Sequence, residues 1–556
     1  MSNATLNPTK YATLPDGPDR LARQLAGPQK SPAAVRAAAT AWLSEAAGPV
    51  RDADSAMQAL AWAHAATWLR QSLPAELCDA LEQRLLAIAD DARTIDLHQE
   101  PLLRNLLAGE LCLTLSCLLP EVRNYRRLKT PAREALTSGL VNLLDNEGLP
   151  HARHMDLLRP LLACWTRCGL LGERLKGGCW SKTAEKQYCW LVRNAVGMTR
   201  YDGAHVFSNG QAKGDDEELF TAALRLSGND DSRNIARLAL PRGARPEAGK
   251  RGKRLYLPIP ATHSEWAATA VLRSSWSRES PRLTILYPGQ SMTLELAAGH
   301  DVLLSGCWQW EVQRDGAGAP PVSSWEATCW VSDNDVDYLE LEIDLGDGLK
   351  IQRHVLLARE DRFLMLADAV LGDRSAKLQY RSRLPLGPKV AACEEKETQE
   401  CFLFSGKKRV AMVLPLALPE WRYASHEAGT LSVEKVKSMR ATGSACATGS
   451  ASAAAWLQLQ QTAQGQRMFA PLWFDLDPRR IARRMTWRSL TVAQSMQVQP
   501  ADAAVGYRVA VGKQQWLVYR SLAKPANRTV LSHNLSTETL IARFKDGETQ
   551  SLIEIE

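Results

Sequence analysis

Several things are scarce in these 556 residues. None of the 12 cysteines forms a CxxC pair, which argues against a zinc ribbon or a thioredoxin-type redox motif. No unbroken apolar run reaches the roughly eighteen residues that a membrane-spanning helix takes. The opening MSNATLNPTKYATLPDGPDR has no apolar core of the kind that marks a secretory signal. We therefore expect a loose arm over residues 1–18 and a cytoplasmic protein that engages no membrane. No repeat of fixed length is visible, which argues against a TPR- or HEAT-type solenoid. Charge of one sign is thin as well: the net +7 is spread without long runs and reads as a mixed solvated surface with room for a mildly basic cleft.

What is present is ordinary in bulk and ordered in pattern. Hydrophobic residues make up 45% and charged residues 23%, as in soluble globular proteins. The length calls for about two to four domains. Over residues 19–240 apolar residues recur three and four apart, as in Leu158, Leu161, Leu162 and Trp165. Pro101 and Pro131 suit first helical turns, where the missing N–H costs nothing, whereas Pro160 is expected to kink or interrupt its helix. Short connections between such helices predict antiparallel pairs in an α/α array, a partial toroid. Residues 241–258, PRGARPEAGKRGKRLYLP, read as a linker. Their six basic residues have no zinc finger or base-stacking module beside them, so no nucleic-acid partner is expected. From residue 259 to 556 the period becomes two, with turns such as Gly346-Asp347-Gly348 between short apolar runs. The fold class expected is α+β multidomain: a helical domain, then a large antiparallel β-sandwich of two layers. Cys112, Cys117, Cys164 and Cys168 sit among leucines and read as reduced, small hydrophobes.

The stretch Leu283–Arg314 opens the strand region. Met292-Thr293-Leu294-Glu295-Leu296 alternates, Ala298-Gly299-His300-Asp301 turns, and Val302-Leu303-Leu304 returns, so the unit reads as a β-hairpin. Together with Val271-Leu272-Arg273-Ser274, Ile351-Gln352-Arg353-His354-Val355 and Leu366-Ala367-Asp368-Ala369-Val370, it resembles the heparinase II/III-like family. Asp145-Asn146-Glu147-Gly148 and Tyr201-Asp202-Gly203 resemble that family's toroid loops. The resemblance covers roughly residues 140–380 and implies an α/α-toroid followed by a β-sandwich. It also implies β-elimination on acidic polysaccharide, bound in a groove between the two halves. That reaction removes the proton at C5 of a uronic acid and needs a positioned base and an acid for the leaving oxygen.

The resemblance further implies an H-x-H-x-D-like cluster at the hairpin entry, one His for catalysis and one for zinc, with a later Asp before Gly as a further ligand. Here the entry reads Tyr287-Pro288-Gly289-Gln290-Ser291-Met292, and the later position reads Ser305 before Gly306. Zinc takes three or four N, S or O ligands, and Ser and Gln are poor ones, so no metal and no cofactor is expected. His151 and His154, three apart and hence on one helical face, and Tyr201 and His205 are the candidate proton-transfer residues. Asp202 shares the loop TRYDGAHVFSNG with the last two and is a candidate sugar contact. Indole faces stack on sugar rings, which adds Trp180 beside Gly177-Gly178, and Trp308 and Trp310 on one strand. The reading is a heparinase II/III-like protein that engages acidic polysaccharide and has a degenerate catalytic cluster. If it cleaves, it is a carbon–oxygen lyase. The alternative is a non-catalytic structural or interaction protein that keeps the fold alone.

Overall fold

Apolar residues three and four apart become helices in Met1–Leu257, and period-two alternation becomes strands in Pro258–Glu556, the two units of this computed structural model. The structure describes residues 12–45, 48–69, 73–208, 215–241, 257–424, 428–435, 455–545 and 548–556. Most of the expected linker, 242–256, and the first eleven residues of the expected arm lie outside them.

In the first unit the helices lie in two layers. Ala53–Leu69, the run Pro101–Leu118, Leu158–Gly172 and Asp215–Ser227 pack in series, while Lys129–Asn142, Lys182–Gly197 and Asp230–Ala239 form a second series against them. The run Pro101–Leu118 is long and apolar enough to cross a membrane by length and composition, and 78% of it is buried inside the unit. It widens to a π-helix over Asn105–Leu111. The side chain of Asn105 holds that turn: its Nδ2 donates to the Pro101 carbonyl at 2.8 Å, and its Oδ1 accepts from Trp165 Nε1 at 2.9 Å. Pro160 does not kink its helix. The run breaks earlier, where a 3-10 segment Ala152–Leu157 gives way to Leu158–Gly172. Pro160 thus falls in a first turn, where no N–H is needed.

The arm is shorter than expected. Ala12 and Leu14 are buried, and a helix Gly17–Ala26 begins three residues later. The cause is Arg167, which is buried with Glu110 and bonds both of its carboxylate oxygens, Nε to Oε1 at 2.6 Å and Nη2 to Oε2 at 2.8 Å. The remaining Nη1 donates to the carbonyls of Ala12 at 2.8 Å and Leu14 at 3.0 Å. Burying a guanidinium is costly unless its donors are paired, and the segment supplies two of the acceptors.

In the second unit, five strands from Thr262–Ser264 to Asp301–Cys307 form an antiparallel meander in chain order. An 11-stranded sheet follows, and a 5-stranded sheet carries the C-terminal strands. Strands are not uniformly short: Phe363–Pro385 runs for 23 residues and Ala455–Asp475 for 21, paired along most of their length. Alternation along Lys350–Ala358 shows what each face meets. Leu356 and Ala358 join a core with Val509, Trp516, Val518 and Ile541 of the C-terminal sheet, and Gln352 accepts from Arg520 there at 2.6 Å. Arg353, on the opposite face, reaches Met292 Sδ at 3.1 Å in the first sheet's hairpin. The large sheet is therefore covered on both sides, and the sandwich has three layers where two were expected.

Arg353 and Asp368 are register partners on adjacent strands. Both are fully buried, and the guanidinium bonds both carboxylate oxygens at 2.7 Å. Tyr380 donates to the same carboxylate, and Arg353 stacks 3.6 Å over the Trp308 ring and 4.7 Å over Trp325. Removing one partner of a pair buried like this leaves an uncompensated charge. Asp368→Ala should lower the unfolding free energy by about 3–5 kcal/mol. Arg381→Ala, which breaks the exposed pair with Glu311, should cost less than about 1 kcal/mol. Urea denaturation of the two variants checks the contrast.

Candidate functional site

Two loops expected to carry chemistry meet at one end of the helical unit. Asp145 starts the first: its Oδ1 accepts the backbone N–H of Glu147 at 2.9 Å and of Leu149 at 2.8 Å, and Leu144 bridges Pro150 behind it. Gly148 has φ +77°, and a Cβ there would lie 2.5 Å from the Leu191 nitrogen, so only glycine lets the loop lie against Lys182–Gly197. Asn194 of that helix donates to the Glu147 carbonyl at 2.7 Å. The second loop leaves the C-terminal end of the same helix and is closed by a Thr199–His205 bridge. Arg159, in the first turn of Leu158–Gly172, ties it down through Thr199 Oγ1 at 3.1 Å and the Gly203 carbonyl at 2.9 Å.

On the first loop, His151 caps the 3-10 segment. Its Nδ1 accepts from the Arg153 backbone N–H at 3.2 Å and from Arg153 Nε at 3.3 Å. Burial, and then the Arg153 and His154 charges, lower its pKa to about 4. Its Nδ1 lone pair is thus engaged in capping the 3-10 segment. His154 is likewise lowered by burial and Arg153, and it bonds the backbone of His98. His98 lies in a third loop, between Ala75–Asp91 and Pro101, and nothing in the local pattern singles it out. On the second loop, Asp202 is exposed and accepts the Ala204 N–H at 2.9 Å, the turn geometry its type favours. Tyr201 beside it is half-buried. His205 donates Nδ1–H to the Val206 carbonyl at 2.6 Å, which sets Nε2 as the basic nitrogen of the neutral ring.

The hairpin of the second unit forms as expected, with Ala298 paired to Asp301 across Gly299 and His300. Its entry turn is occupied structurally: Gln290 Nε2 donates to the Pro321 carbonyl at 3.3 Å, Ser291 Oγ to the Pro288 carbonyl at 3.2 Å, and Met292 meets Arg353. This donor set does not fit a zinc ion. A histidine that was not among the candidate site residues stands close by. His263, on the edge strand Thr262–Ser264, places Nε2 2.8 Å from the Tyr287 hydroxyl, with its ring 5.0 Å from that of Trp330. Burial lowers His263 and, with Glu265, raises Tyr287. Both are neutral at pH 7, and a phenolate base is disfavoured there.

No protein-family model and no curated protein matches the sequence. Solved structures do match. A mutant of heparan sulfate lyase HepC from Pedobacter heparinus superposes with a TM-score of 0.61 at 12% identity, over 94% of this chain and 84% of that one. A structure of heparinase III does so with a TM-score of 0.60 at 10% identity, over 91% and 82%. The chain has the heparinase-like lyase fold.

Within that lyase fold the tryptophans part company with the loops. Trp180 precedes Lys182–Gly197, whereas Tyr201 follows it, so this 16-residue helix sets them about 24 Å apart at 1.5 Å per residue. Its ring stacks on Tyr188 at 5.3 Å. Trp308 is buried, donates Nε1–H to Ser382 at 2.8 Å and carries Arg353 on its face. No face is open for a sugar, which overturns the expectation of a substrate contact. Trp310 is half-buried and meets Trp325 edge-to-face at 6.0 Å.

The His151 pKa carries a signed prediction. A folded pKa of about 4 against 6.5 means the unfolded chain binds more protons between these values. The stability from this site is present above pH 6.5 and is lost as pH falls toward 4. His151→Gln should flatten the fall in melting temperature over that window, and NMR titration should place the His151 midpoint near 4.

Proposed function

We propose that this chain binds acidic polysaccharide through the loop end of its helical unit and does not cleave it. The observation that carries the reading is the meeting of the 145–157 and 199–208 loops at one end of a lyase fold. Arg153 and His154 on the first loop and Tyr201 and Asp202 on the second supply hydrogen-bonding and charged groups of the type that hold uronates. The heparan sulfate lyases that share the fold motivate the ligand class.

Cleavage by β-elimination needs a free base at the C5 proton and an acid at the leaving oxygen. At the hairpin entry Tyr287–Met292 the one proton-transfer group, Tyr287, is buried and engaged with His263, and the reading takes the entry as metal-free. His151 is occupied as a cap, and His263 and Tyr287 are neutral and bonded to each other. Binding therefore survives in this reading where turnover does not.

Heparan sulfate, chondroitin sulfate and alginate incubated with the purified protein should show no rise in the ultraviolet absorbance of unsaturated uronates. At least one of them should bind in calorimetry, and Arg153→Ala should weaken it about tenfold, the effect of one lost charge-assisted hydrogen bond. A rise in absorbance that Tyr201→Phe or His154→Ala abolishes would overturn the inactive reading. Absence of binding to all three would favour a structural or interaction role.

A further inference from the structure

The sandwich unit holds a cavity of about 450 Å³, within the range of small-molecule sites. It lies where the strand Ala455–Asp475 of the large sheet faces Thr486–Leu490 and Ala504–Val511 of the C-terminal sheet, with residues 498–502 along its rim. Its lining is unusual for a space between two sheets, because polar side chains stand there with their bonding capacity unspent.

Gln461 donates Nε2–H to the Phe469 carbonyl at 3.1 Å, and its Oε1 is buried without a partner. A buried amide oxygen left unpaired is costly, so its place in the wall calls for a donor from outside the chain. Tyr507 is 4% exposed, and among the described residues its hydroxyl and that of Ser489 make no side-chain hydrogen bond. Arg467, half-buried on the same wall, has no hydrogen bond or ion pair among the described residues. Asp502 also lines the cavity, but its Oδ2 is turned to the Gln466 N–H at 3.0 Å. Phe469 supplies an apolar wall.

We propose that this cavity binds a single carboxylate-bearing sugar, a hexuronate residue, as a second site on the sandwich unit. The guanidinium of Arg467 takes the carboxylate, for which its paired N–H groups are shaped. The unpaired Gln461 oxygen accepts from a ring hydroxyl. Tyr507 and Ser489 donate to or accept from its neighbours, and Phe469 packs on the C–H face of the ring. The site rests on residues of the sandwich unit alone and goes beyond the binding proposed for the helical unit.

The test uses the full chain and two probes, sodium D-glucuronate and D-glucose, followed by saturation-transfer NMR and calorimetry. Glucuronate should bind, with glucose about tenfold weaker, the difference expected for one charge-assisted pair. Arg467→Gln should erase that preference. Tyr507→Phe, which keeps the packing and removes only the hydroxyl, should weaken both sugars about threefold. Unchanged melting temperatures show that the variants fold. No binding of glucuronate overturns the proposal, as does a tenfold preference that persists in Arg467→Gln or glucuronate binding that neither variant changes. Failure of the polysaccharide reading would appear in the heparan sulfate titration and leave these readouts untouched.

Discussion

The buried ion pair between Arg353 and Asp368 is the constraint on which the second unit turns. Each of its groups is fully buried, so each must be satisfied within the protein or pay the full cost of leaving water. The carboxylate takes two bonds from Arg353 and a third from Tyr380. The guanidinium spends what remains on Met292 and on the faces of Trp308 and Trp325. These partners come from the first sheet's hairpin, from the strand Phe363–Pro385 and from the residues just before Gln309–Arg314 and Glu326–Ser332. One unpaired charge would be intolerable there, so the segments that silence it are fixed in register together.

The same logic, applied to Arg167 and Glu110, organises the helical unit. In both units an arginine is paired bidentately and has its leftover donors or faces covered by distant chain segments. In the sandwich the residues nearest the expected chemistry are largely consumed by such structural duties. Met292 faces the guanidinium, and Gln290 and Ser291 bond backbone carbonyls. In the helical unit the loops keep more of their polar groups at the surface, with Asp202 exposed and Tyr201, His151 and His154 half-buried. The division of labour, scaffold in the strands and contact in the loops, follows from where polar groups can remain solvated.

Periodicity made the fold legible. The helices of the first unit, the hairpin at Ala298–Asp301 and the turn at 346–348, where all three residues have positive φ, were each written in local pattern. Partner choice was not. Arg353 and Asp368 stood out in the sequence as motif residues without any sign that they bond each other. His151 read as a base because its spacing from His154 is local, while its capping role depends on the 3-10 start that Pro160 hides. Trp308 and Trp310 read as sharing a strand, but Trp308 falls in the break between Asp301–Cys307 and Gln309–Arg314 and is sealed under a guanidinium, while Trp310 is half-open. His263 was visible in the sequence, but its pairing with Tyr287 spans 24 residues and two intervening strand edges.

The hold of Arg167 on the carbonyls of Ala12 and Leu14 sets an order of events on the ribosome. The bonded groups are 155 and 153 residues apart, and synthesis proceeds at about 5–20 residues per second. For several seconds the early segment has been made and its acceptor-seeking partner has not. Helices from Gly17 onward can pair locally in that interval, but the buried ion pair in their midst cannot close until Leu158–Gly172 has left the exit tunnel. Completion of the helical unit is therefore a late, cooperative step.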